Sequence, residues 1–134
     1  MKNIAIIDIE SQGASTSYSS IISIAGILVN PELKEIERFE LNCRNKPGHV
    51  PDPYSLWVNK GFYQMKKSNS SHYQLMKELH KIIKKWSPCI WIGWNSTGFD
   101  FIMIQKEINV MNYMMVNCRF SCIGRGGFIL MKPM

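Results

Sequence analysis

The sequence IAIIDIESQG, residues 4–13, places two carboxylates inside a run of apolar residues. Residues 3–9 have the composition of a central β-strand that is covered on both faces. Asp8 and Glu10 are two residues apart, so in a strand their side chains point to the same side of the sheet. Neighbouring carboxylates repel each other unless a cation lies between them, and such hard oxygen ligands suit Mg²⁺ or Mn²⁺. The spacing suits a divalent-metal site, but D-x-E is a weak pattern, and by itself it favours acids that reach solvent or cap a neighbour.

Two more strands are expected directly after this one. Residues 21–29, IISIAGILV, form an apolar strand, and residues 34–43 form a third strand after a turn at NPEL. Both faces of the third strand mix charged and apolar side chains, which is typical of an edge strand. Because short connections join these segments, we expect an antiparallel three-strand meander.

A helix and a fourth strand are expected after an irregular, proline-containing segment. Ser71 and Gln74 form the S-x-x-Q pattern of a capping box, and apolar residues recur at helical spacing over 72–86. Residues 89–93, CIWIG, then form a short buried strand that we expect to be parallel to the first. A second helix begins in FDFIMIQKEI, residues 99–108. The expected order is β-β-β-α-β-α.

Asp100 is a third acid in a favourable position, directly after the fourth strand. The carboxyl ends of neighbouring parallel strands lie side by side, and ligand sites of α/β proteins form there. Asp100 is therefore expected close to Asp8 and Glu10. It also has a simpler interpretation, because Thr97 and Asp100 fit a T-x-x-D capping box. Asp100 can cap the helix and contribute to the site at the same time.

Composition limits the class of protein. The chain has 134 residues, which suits one domain, and its net charge of +6 with a pI near 9.2 favours a polyanionic partner such as nucleic acid. Its four cysteines form no C-x-x-C pair, so we expect reduced thiols rather than a zinc site. Neither a signal-peptide pattern nor an apolar stretch of the ~18–20 residues of a membrane span is found. We expect a cytoplasmic protein that has no contact with membranes.

Two motifs resemble those of the DEDD-type 3′→5′ exonucleases. IDIESQG, residues 7–13, is similar to their first motif, D-x-E-[T/S]-x-G, and GWNSTGFD, residues 93–100, is similar to their second, G-[HYW]-N-x-x-x-F-D. The segment HVPDPYSLWVNKGF, residues 49–62, resembles their proline-containing linker. The resemblance covers about residues 3–108 and is greatest for the exonuclease I branch, with oligoribonuclease and polymerase proofreading domains as more distant relatives.

This resemblance implies an α/β, RNase H-like fold, in which flanking helices cover a mixed sheet of the meander and the parallel fourth strand. It also implies two-metal hydrolysis of single-stranded DNA or RNA with Mg²⁺ or Mn²⁺. Asp8 would bridge both metals, Glu10 would bind the first, and Asp100 would act at the second. Ser11, which stands where Thr is usual, would contact the substrate, and Asn95 would hold the turn or touch the nucleotide.

The chain departs from the family pattern near its C-terminal end. The family has a third motif, in which a His or Tyr is followed by a fourth acid, but no Asp or Glu follows Glu107 and all three histidines precede the second motif. We expect those histidines to be structural or exposed. We therefore expect a partial exonuclease domain over residues 1–110 and an atypical tail over 111–134, with a fifth strand and a closing helix missing.

Two functions stay open at this point. The first is a 3′→5′ exonuclease that retains three of four metal acids and is impaired in this short chain. The second is a non-catalytic domain of the same fold that binds nucleic acid or protein. A third possibility is an unstable fragment without function. A truncated or frameshifted ending would show as an H-x₄-D or Y-x₃-D pattern in another frame of the coding DNA.

Overall fold

The computed structural model of the chain describes residues 1–93, 99–112, 118–122 and 128–133. Six strands and four helices are present in these residues. In chain order they are β1 (Asn3–Ser11), β2 (Ile21–Val29), β3 (Glu35–Asn42), α1 (Pro53–Val58), α2 (Gly61–Lys67), α3 (His72–Trp86), β4 (Cys89–Ile92), α4 (Asp100–Asn112), β5 (Cys118–Cys122) and β6 (Phe128–Pro133). In these residues no helix combines the length and the apolar character that a membrane span requires.

The strands form one mixed sheet in the order β3-β2-β1-β4-β6-β5. The first three strands are an antiparallel meander with β3 at the edge of the sheet, and β4 pairs with β1 in parallel. These features confirm the expected meander, the edge position of the third strand and the parallel fourth strand.

We expected the sheet to end at β4, but it continues with two more strands. β6 pairs with β4 in antiparallel orientation, and β5 pairs with β6. A further strand therefore pairs with β4, and the expectation that a fifth strand is missing was wrong. The physical reason is that the open side of β4 carries backbone N–H and C=O groups that need partners, and the apolar residues of β6 supply them.

Helix α3 begins and ends at the predicted residues because its end signals are local. The backbone N–H of Gln74 donates to Ser71 Oγ (3.2 Å), and the backbone N–H of Ser71 donates to Gln74 Oε1 (2.7 Å), which confirms the capping box. The buried face of the helix ends at Trp86, whose ring stacks on that of Trp91 in β4 at 5.8 Å. This contact fixes α3 against the sheet.

Only one face of β1 is buried. Ala5, Ile7 and Ile9 belong to the hydrophobic core, whereas Ile6, on the other face, is 41% exposed and Asp8 is exposed. The expectation that both faces of this strand are covered was wrong. The reason is that the apolar residues of α3 and α4 pack into the same core cluster, so both long helices cover one face and leave the other to the acids.

The two cysteines in the part of the chain whose side chains are described are free thiols. Cys43 and Cys89 are both fully buried. Burial raises the pKa of each to about 12, with a further contribution from the negative charge of Glu107 at Cys43. Such thiols stay protonated and unreactive, in agreement with the expectation of reduced cysteines for these two residues.

A buried carboxylate ties three parts of the fold together. Glu107 of α4 is only 1% exposed, and its Oε2 lies 3.5 Å from His72 Nε2 and 3.6 Å from Lys46 Nζ. Its Oε1 lies 3.6 Å from Lys106 Nζ. These four residues, which we call the Glu107 cluster, join α4 to the start of α3 and to the segment after β3. The distances are longer than hydrogen bonds, so Lys46 and Lys106 interact with the Glu107 carboxylate by charge attraction.

The free energy of unfolding should fall when the pH drops below the ordinary histidine pKa. Burial lowers the pKa of His72, against an opposing effect of Glu107, and burial followed by the charge of Lys84 lowers the pKa of His80. The unfolded chain therefore binds more protons than the folded chain between these lowered values and 6.5, so stability decreases as the pH falls through that window.

Urea denaturation at about pH 7.5 and about pH 5.5 measures this effect. We expect a lower midpoint at the acidic pH and a smaller pH dependence in the double variant His72→Gln, His80→Gln. An unchanged pH dependence in that variant would contradict the assignment.

Candidate functional site

The two acids of the first motif lie where β1 continues past the end of β4. The last position at which β1 pairs with β4 is Ile6 with Ile92, and Asp8 and Glu10 follow on β1. On its other side β1 stays paired with β2 at these positions. The acids therefore stand at the carboxyl end of a parallel strand pair, the place where α/β proteins form ligand sites.

Asp8 and Glu10 lie on the same face of β1, and the charge of Asp8 affects the pKa of Glu10. Glu10 is half-buried and Asp8 is exposed. Burial raises the pKa of Glu10, the negative charge of Asp8 raises it further, and a hydrogen bond with Asn59 lowers it. The two-residue spacing predicts that these carboxylates repel each other, and the raised pKa of Glu10 agrees with this. A bound cation would relieve the repulsion.

Asn59, between α1 and α2, is a residue of this region that the sequence analysis missed. Its Nδ2 donates to the backbone carbonyl of Ser11 (2.9 Å), and its side chain also hydrogen-bonds Glu10. The backbone N–H of Gly61 donates to Asn59 Oδ1 (2.8 Å), and a Cβ on Gly61 would lie 2.6 Å from that oxygen. A side chain at position 61 would crowd the Asn59 oxygen, so this contact favours glycine. The N-x-G pattern of Asn59 and Gly61 was the sequence signal for it.

Asp100 is the first residue of α4 and is buried. Its carboxylate has interactions within the protein, and a negative charge in a first helical turn is stabilised by the helix dipole. Across the described residues no three His, Cys, Asp or Glu side chains are grouped so that they could hold a metal ion. The role of Asp100 beside Asp8 and Glu10 therefore stays a prediction. Its suggested capping partner, Thr97, lies outside the described residues.

Of the two residues predicted to contact the substrate, the structure describes Ser11 but not Asn95. Ser11 is buried, and its hydroxyl donates to the backbone carbonyl of Gly13 (2.6 Å), so the hydroxyl proton is engaged at the end of β1. Asn95 lies outside the described residues. Contact of either residue with a nucleotide stays a prediction. Phe99, from the same motif as Asn95, packs against the hydrophobic core.

The three histidines have structural surroundings. His49 Nδ1 lies 3.2 Å from Ser20 Oγ, His72 belongs to the Glu107 cluster, and His80 is half-buried on α3. The contacts of His49 and His72 agree with the expectation that these residues are structural.

No protein-family model matches the sequence, and no curated protein matches it either. Solved structures of *E. coli* exonuclease I do match the fold. The complex with a dT13 oligonucleotide has a TM-score of 0.72 at 16% identity, and the complex with a dA16 oligonucleotide has 0.71 at 17%. The metal-free complex with single-stranded DNA has 0.73 at 16%. Each match covers 81% of this chain and 24% of the exonuclease chain.

These matches show the fold of the chain. Its mixed sheet with one parallel pair and flanking helices is the RNase H-like architecture of exonuclease I, which confirms the expected fold class. The chain spans about a quarter of the length of these exonucleases, since 24% of their residues are covered.

Proposed function

We propose that the chain is a nuclease-type domain of the 3′→5′ exonuclease kind, whose substrate is single-stranded nucleic acid. The observation that carries the proposal is the Asp8–Glu10 pair at the carboxyl end of the parallel strands of an exonuclease I-like fold. Exonuclease I, part of which shares this fold, has been crystallised in complex with single-stranded DNA. The net charge of +6 favours such a polyanion.

The residues fit a divalent metal ion in two respects. Asp8 and Glu10 supply hard oxygen atoms, and their repulsion is the kind that Mg²⁺ or Mn²⁺ removes. Asp8 and Glu10 would hold the first ion, and Asp8 with Asp100 would hold the second. Bound ions would supply activation of water and stabilisation of the leaving 3′-oxygen. The Asn59 side chain would keep the Glu10 carboxylate oriented in the site.

The catalytic set is incomplete in this chain. No acid follows Glu107 in the sequence, and His49 and His72 have contacts within the fold. We therefore propose that hydrolysis is impaired. The same observations, together with the lack of a three-ligand group in the described residues, favour a second candidate function, a non-catalytic domain that binds nucleic acid or a partner protein.

Metal binding separates the two candidates. We expect Mn²⁺ to bind weakly to the wild-type chain and more than about tenfold more weakly to Asp8→Ala, because the variant loses a ligand and the repulsion that favours the ion. Isothermal titration calorimetry measures both affinities. Glu40→Ala, which removes an exposed carboxylate from the edge strand β3, is the matched control and should bind as the wild type does. Equal affinities for all three proteins would refute the site and leave the non-catalytic domain.

A further inference from the structure

Helices α1 and α2 expose four aromatic side chains next to the candidate site. The exposed fractions are 70% for Tyr54, 76% for Trp57, 57% for Phe62 and 68% for Tyr63. We call these four residues the aromatic surface. Scattered apolar residues are common on protein surfaces, but four large aromatic residues within ten positions of the chain are a concentration typical of interaction sites.

The rings leave their outer faces available. Tyr54 and Trp57 are tilted at 38° with centroids 6.2 Å apart, and Phe62 and Tyr63 are in an edge arrangement at 6.4 Å. Neither pair is a closed stack, so planar groups can still lie against the rings. Lys66 Nζ stands 6.0 Å from the centroid of Phe62, which places a cation beside a ring.

The charge carried by α1, α2 and the start of α3 is positive, and the carboxylate of Asp52, which caps the start of α1, is engaged by Ser55. Residues 53–77 contain no Asp or Glu, and Lys60, Lys66 and Lys67 of this segment are exposed. Tyr63 and Lys67 also line an open depression together with Asn42 and Ser68, at the end of β3. A partner that combines planar apolar groups with negative charge matches this surface, and a basic partner does not.

The aromatic surface is joined to the acids of β1. Asn59, at the junction of α1 and α2, bonds both the Ser11 carbonyl and the Glu10 side chain. Asn59 therefore places the junction of α1 and α2 beside the end of β1, where the two acids lie.

We propose that the aromatic surface is a stacking platform for single-stranded nucleic acid, with bases on the rings and phosphates on the neighbouring lysines. The proposal rests on the proposed function and specifies its substrate as unpaired and sequence-tolerant, because every base has a face that can stack on an aromatic ring. A duplex keeps those faces covered by its own stacking, so it binds through its phosphates alone.

Trp57 reports directly on this contact. Of the three tryptophans that the structure describes, Trp86 and Trp91 are buried and Trp57 is exposed. The difference between wild-type and Trp57→Leu emission isolates the Trp57 ring. With the full chain in EDTA, we expect oligothymidylate to quench the Trp57 emission. We expect Trp57→Leu to bind the oligonucleotide about 5- to 100-fold more weakly, the usual effect of losing one stacked base. Thermal unfolding of the variant should match that of the wild type because Trp57 is exposed.

The control is Tyr73→Ala, which removes an exposed aromatic residue from α3, outside the aromatic surface. It should bind oligothymidylate as the wild type does, and a DNA hairpin should bind the wild type more weakly than the single strand. Unchanged Trp57 emission, or equal affinities for Trp57→Leu and Tyr73→Ala, would overturn the proposal. Loss of a wild-type dimer in Trp57→Leu would also overturn it, because a second copy would then be the occupant.

Measurement in EDTA keeps this test separate from the metal site. If Asp8→Ala keeps oligothymidylate binding but wild type and Asp8→Ala bind Mn²⁺ equally, the platform is supported and the nuclease proposal fails. If Mn²⁺ binding depends on Asp8 but Trp57 emission does not respond to the oligonucleotide, the platform fails and the metal site is retained.

Discussion

Replacement of Glu107 by Gln should lower the free energy of unfolding by about 3–5 kcal/mol, the usual effect of removing one partner from a buried ion pair. Glu107 is 1% exposed, and the substitution leaves the positive charges of Lys46 and Lys106 without their counter-charge. The lysine side chains are 30% and 26% exposed, so water screens them in part and the loss should lie toward the lower end of that range.

Urea denaturation of the variant measures the loss, and Glu78→Gln is the matched control. The Glu78 carboxylate is 50% exposed and pairs with Lys81 on the surface of α3, so its replacement should change the free energy of unfolding by less than about 1 kcal/mol. Similar losses in the two variants would contradict the view that burial gives the Glu107 cluster its importance.

The sequence predicted those elements whose signals are local. Helix α3 was predicted from its first residue to its last, because the Ser71–Gln74 capping box begins it and Pro88 prevents its continuation. The convergence of Asp8 and Glu10 was predicted because strand geometry alone sends alternate side chains to one face.

The features that were missed depend on contacts between distant segments. The open face of β1 follows from the packing of both long helices on one side of the sheet, which no periodicity encodes. Asn59 reaches a carbonyl 48 residues away, and the Glu107 cluster joins α4 to Lys46 and His72. The strands after α4 were missed because both are short: the apolar and polar residues of β5 alternate over only five positions, and β6 is an apolar run without alternation.

The largest effect is expected in catalysis, where the chain should release mononucleotides very slowly. Hydrolysis of this type uses a base to deprotonate water and a full set of acids to hold the metals. General acid–base assistance contributes ~10²–10⁴-fold to a rate, and a missing ligand weakens the metal site further. His49 and His72 are held in structural contacts, and no acid follows Glu107, so the described chain supplies neither part.

Digestion of 3′-labelled single-stranded DNA and RNA in the presence of Mn²⁺ measures this rate, with Asp8→Ala as the reference for background nuclease. We expect wild type and variant to release label at the same low rate, even where oligothymidylate quenches Trp57 and the strand is therefore bound. In the proposed arrangement, stacking and phosphate contacts would use the rings and lysines of residues 54–67, whereas bond cleavage would use the acids at the end of β1, so we expect binding without hydrolysis. Rapid release that disappears in Asp8→Ala would contradict this expectation, and it would mean that a further residue or a second chain completes the acid set.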